Sequence, residues 1–134
     1  MCFLLQRYVE RAYLLMVLET YFRLVGKLGS ESLVEDEDFF LTAYEGDFAL
    51  MVTVYRCSTA DEEALARFLA RTLHTKVVIS DDDVNPYTWV LVDESGIAQP
   101  FWEDPVDREC FFVVAERYRH LLVPCPTAQP TEGK

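Results

Sequence analysis

The sequence predicts an α+β domain with a mostly antiparallel sheet of about five strands, in the order α-ββ-α-βββ-α, covered by helices. Three observations predict it. Of 134 residues, 51% are hydrophobic and 13% aromatic, enough apolar area to offset the ordering entropy of a single-domain chain. Runs of β-branched and aromatic residues recur between clusters of turn residues. One segment combines a helix-start signature with apolar residues at helical spacing.

Residues 4–28 are good helix formers without proline, and Gly26, Lys27 and Gly29 supply a stop signal. Gln6, Arg7, Glu10 and Arg11 fall on one side of such a helix, and Glu19, Thr20 and Arg23 roughly opposite. The middle is then buried nearly all round, by a sheet and another helix or by a second copy in a homodimer; alternatively the apolar middle is a strand. Residues 39–44 and 48–56 are strand-like, and Glu45, Gly46 and Asp47 between them supply hairpin chemistry. Ser58 or Thr59 caps the next helix, Glu62 completes a capping box with Thr59, and Leu65, Phe68, Leu69 and Leu73 form its buried stripe. Residues 76–80, 87–93 and 97–102 read as three strands, the last two joined by a turn through Glu94, Ser95 and Gly96. Asp104, Pro105 and Asp107 open a last helix over 105–122, although the β-prone run 110–115 reads equally as an extra strand. Residues 1–123 thus form one domain, and 124–134 a disordered tail.

The formal charge is −11, which repels phosphate backbones and anionic membranes and argues against nucleic-acid binding. The excess is local. Residues 31–55 carry −7 and residues 81–109 carry −8, while the other segments are slightly positive. The clusters are Glu35, Asp36, Glu37 and Asp38; Asp81, Asp82 and Asp83; and Glu103, Asp104 and Asp107, each at a strand end. If the strand at 76–80 runs antiparallel to its successor, Tyr87, Trp89 and Trp102 stand beside these carboxylates. Aromatic rings within an acidic surround suit a basic protein surface, the rings supplying buried area and the charge selecting the partner. Asp107 apart, these twelve residues are the candidate partner-binding set.

Catalytic and metal-binding patterns are missing. Asp81, Asp83 and Asn85 have the alternate spacing of a calcium loop, but Pro86 and Val92 stand where glycine and glutamate are needed. No glycine-rich phosphate loop, nucleophile elbow or zinc-binding helix occurs, and the two histidines, His74 and His120, suit structural roles. Cys2, Cys57, Cys110 and Cys125 form no C-x-x-C pair. Charged residues interrupt the first apolar run and leave no signal peptide, and seven uninterrupted apolar residues cannot cross a bilayer, so a cytoplasmic protein is expected. No cofactor, catalytic residue or metal ligand is assigned.

Small size, acidity and the lack of catalytic groups, with the strand, acidic loop and Asn85-Pro86-Tyr87-Thr88-Trp89 succession of residues 75–104, resemble the immunity proteins of bacterial polymorphic and contact-dependent toxin systems. The resemblance implies a non-catalytic inhibitor that covers a basic cognate toxin or nuclease. A phage-encoded inhibitor of a host defence protein has the same physics. Two other classes are a dimeric acidic secretion chaperone paired through residues 4–28, and a small divalent-metal enzyme using Asp81, Asp82 and Asp83.

Overall fold

A computed structural model of the chain describes residues 1–82 and 84–122, so Asp83, Cys125 and the expected tail lie outside the described residues. The architecture is α+β, as the patterning predicts. Its centre is a six-stranded, wholly antiparallel sheet in the order β2-β4-β1-β5-β6-β7, built from β1 (Cys2–Leu5), β2 (Phe39–Ala43), β4 (Leu50–Val54), β5 (Val77–Ser80), β6 (Thr88–Val92) and β7 (Ala98–Trp102). A two-stranded parallel ribbon joins β3 (Glu45–Gly46) to β8 (Phe111–Phe112).

The expected helix over 4–28 is corrected to a strand followed by a shorter helix. β1 lies between β4 and β5, with Phe3 and Leu5 facing one layer and Leu4 the other. Burial on both faces erases alternation, so Phe3-Leu4-Leu5 reads as readily as part of a buried helix. The Glu10 carboxylate accepts a hydrogen bond from the Tyr13 N–H and starts α1 (Arg11–Leu24). α1 buries Leu14, Val17, Leu18, Tyr21 and Phe22 while Tyr13, Met16 and Leu24 remain exposed. It is covered on one face, not all round.

Strands β2 and β4 form the expected hairpin, and β5, β6 and β7 the expected three-stranded run. The capping box is corrected. A 3-10 turn (Thr59–Asp61) precedes α2 (Glu62–Leu73), no side chain bonds the backbone at its start, and Ser58 bonds the Asp61 carboxylate instead. Leu65, Leu69 and Leu73 are buried as expected, together with Ala66 and Ala70, and Phe68 packs at the edge against Tyr21.

The expected helix over 105–122 does not form. Phe112 and Val114 are buried while Phe111 and Val113 are only half-buried, a period of two that a helix cannot satisfy. Cys110 has φ +54°, which interrupts helical backbone. Residues 111–115 extend the sheet at the end of β7 through Asp104 N–H to Val113 O and Ala115 N–H to Trp102 O, and a 3-10 helix (Glu116–Leu122) follows. This segment covers the sheet face opposite the helices. Phe112 meets Phe48 at 5.2 Å and Trp89 at 5.6 Å between ring centroids. Asp47 fastens the layer by accepting from Val114 N–H at 2.8 Å and from both Arg119 terminal nitrogens at 2.9 Å. Burial opposes ionisation of Asp47, but these donors hold its carboxyl below the usual range.

Candidate functional site

Antiparallel register decides where the acidic clusters meet. Phe39 opens β2 opposite Val54 at the end of β4; Cys2 opens β1 opposite Thr53; Ser80 ends β5 opposite Trp89; and Thr88 opens β6 opposite Trp102 at the end of β7. All six of these termini lie at one end of the sheet. The clusters at 35–38, 81–82 and 103–104 therefore share that end, across five strand spacings or roughly 24 Å. The start of α2 follows β4 at the same end and adds Asp61, Glu62 and Glu63.

At the centre of this end lies a cavity of about 350 Å³, whose lining includes Met1, Glu62, Asp81, Asp82, Pro86 and Trp89. A second cavity of about 320 Å³ adjoins it, sharing Asp81 and Trp89 and reaching Glu63 and Pro100. Glu62 is only 7% exposed, and its carboxylate accepts no hydrogen bond among the described residues. Burial, then the like charge of Asp82, pushes its carboxyl above the usual range, and the Met1 ammonium opposes the shift. That ammonium is held by the Val54 carbonyl at 3.0 Å. Asp82 sits in left-handed backbone at φ +62°, with its N–H donated to Ser80 Oγ at 3.1 Å. Asn85 folds the loop back by accepting the Tyr87 N–H at 2.9 Å, so its side chain serves a turn.

The aromatic residues divide. Trp89 donates its indole N–H to Glu103 at 3.1 Å while its ring packs on Phe112, so it joins the acidic end to the core. Burial raises the Glu103 carboxyl, and the Trp89 bond offsets part of the rise. Trp102 is half-buried, with the Arg117 guanidinium 5.2 Å from its ring. Tyr87 is 40% exposed and stands open at the rim.

The first acidic cluster is at the same end on the β2 side, where two of its members serve the fold. Glu35 pairs with Arg11; Asp38 accepts from Arg56 at 2.8 Å and from the Val34 N–H, and the Arg56 bond is the main cause of its lowered carboxyl. Asp36, with φ +75°, and Glu37 are exposed at the turn, and Asp104 is exposed on the β7 side. Asp83 lies outside the described residues.

Sequence reasoning missed Glu62 as a site residue. The signal was present: Glu62, Leu65, Ala66, Leu69 and Leu73 share one helical face, so its carboxylate sits on an apolar stripe. The structure brings Asp81, Asp82 and Trp89 to one cavity, ties Glu103 to Trp89, and leaves the 35–38 turn on the opposite side of the same end.

Among the described residues, no group of three or more His, Cys, Asp or Glu is placed to hold a metal ion, and no helix is long and apolar enough to cross a membrane. Cys2, Cys57 and Cys110 are free thiols. Comparison with protein-family models, curated proteins and solved structures finds no match to this chain.

Proposed function

We propose that this protein is a non-catalytic binding inhibitor that neutralises a basic partner, such as a toxin or nuclease, by covering it with the acidic end of its sheet. The convergence of three separate acidic clusters on that one end carries the reading. A field of one sign speeds encounter with a basic surface and rejects acidic ones. Exposed ion pairs add little affinity individually, so the lasting contacts fall to desolvated groups around Tyr87, Trp89 and Glu62. This mode of action matches the immunity-type proteins that the sequence resembles, and the free thiols suit a reducing cytoplasm.

A homodimeric chaperone is the second reading, favoured by the exposed Tyr13, Met16 and Leu24 along α1. Three side chains make a smaller patch than a stable dimer needs. The test is affinity capture from the source organism, followed by calorimetry of the captured protein against wild type and the Asp81→Asn, Asp82→Asn double variant. Asparagine tolerates the left-handed backbone at position 82. The reading expects a basic partner and at least tenfold weaker binding of the variant at low salt; a neutral partner, or unchanged affinity, overturns it.

A further inference from the structure

Burying a carboxylate is costly unless a donor or a counter-charge meets it. The chain shows the solved case at the far end of the sheet: Lys76, 2% exposed, is met by Glu94 at 2.6 Å. Glu62 is also buried, at 7% exposure, and receives no donor from the described residues. It lines an open cavity instead. We propose that this cavity is a socket for one arginine side chain of the basic partner, with the Glu62 carboxylate as the acceptor at its base. The inference rests on the binding function proposed above and names the contact that gives it specificity.

Charge, size and lining select the occupant. Glu62 and Asp82 outnumber the Met1 ammonium, and that ammonium is already turned to the Val54 carbonyl, so the cavity favours a cation over an anion. At about 350 Å³ it is at the small end of ligand pockets, room for one long side chain and not for a large metabolite. Pro86 and the β6 strand at Thr88 and Trp89 wall the cavity beside an aliphatic stem. A guanidinium is less strongly hydrated than an ammonium and presents paired N–H donors to a carboxylate, which decides for arginine over lysine.

The experiment titrates the whole protein with tetra-arginine amide and, separately, tetra-lysine amide, by calorimetry and tryptophan fluorescence, for wild type, Glu62→Gln and a Glu37→Gln, Asp104→Asn rim variant. Wild type should bind tetra-arginine at least fivefold more tightly than tetra-lysine. Glu62→Gln should lose at least tenfold for tetra-arginine and abolish the preference, and the rim variant should weaken both peptides equally with the preference kept. If Glu62→Gln fails to fold, Glu62→Asp keeps the charge but shortens its reach, and must also lose the preference. Equal binding of the two peptides by wild type, or a preference that survives at Glu62, overturns the socket; if the rim variant still weakens binding, the acidic-end function stands without it. Absence of binding to either peptide at low salt overturns both.

Discussion

Glu62 is where residue chemistry and helix geometry conflict. A glutamate in the first turn of a helix suits the positive end of the dipole, yet this one falls on the stripe that α2 turns inward. Because burial and then Asp82 raise its carboxyl, the folded state binds that proton more tightly than the unfolded chain does. The stability it contributes is full below the usual carboxylate range and is lost as pH rises through the raised value. Glu62→Gln cannot ionise and should melt above wild type at pH 7, the gap closing toward pH 4. Thermal denaturation at both pH values checks this; a lower melting temperature for the variant at pH 7, with parity at pH 4, would contradict it. Asp38 has the opposite sign. Held low chiefly by Arg56, it contributes stability above the usual carboxylate range and loses it as pH falls. The sequence exposed both carboxylates but not their environments, which depend on Met1 and Asp82 in one case and on Arg56 in the other, all distant in the chain.

At the scale of elements, the segments marked off by turn or cap residues were legible, and one without such a mark was not. The β2–β4 hairpin, α2 and the β5–β7 run stand near their expected bounds, including β5, which is buried on both faces. β1, apolar throughout, merged with the helix after it. The C-terminal segment was half legible: Asp104-Pro105 imitates a helix start, the β-prone run 110–115 offered a strand, and the partners of Phe112 and Val114 decide for the extended chain. Its pairing with β3 depends on Gly46, whose φ is +100° and where an added Cβ would lie 2.3 Å from the Phe112 carbonyl oxygen. Gly46→Ala should cost about 1–3 kcal/mol from the backbone alone. It should also shift Trp89 emission to the red as Phe112 lifts from the ring. Urea denaturation followed by fluorescence measures both; wild-type stability and emission would contradict the role given to this contact.

Over the whole molecule, charge and topology produce a property that neither shows separately. Segment counting located the acid at 31–55 and 81–109, far apart in sequence. That these regions face the same way follows from the strand order β2-β4-β1-β5-β6-β7, and so from β1 and its long-range partners, the element that patterning hid. The arrangement gives the molecule one strongly acidic end, with the buried Glu62 carboxylate, to which none of the described residues donates, lining the cavity at its centre. A basic ligand should therefore find one address. The most direct measurement is a titration of the isotope-labelled protein with tetra-arginine amide in low salt, followed by backbone amide shifts. The account predicts saturable shifts concentrated at Glu37, Glu62, Asp82, Trp89 and Glu103, fading as salt rises. Shifts spread evenly over the surface, or centred on Gln6, Asp47 and Glu94 at the far end, would contradict it.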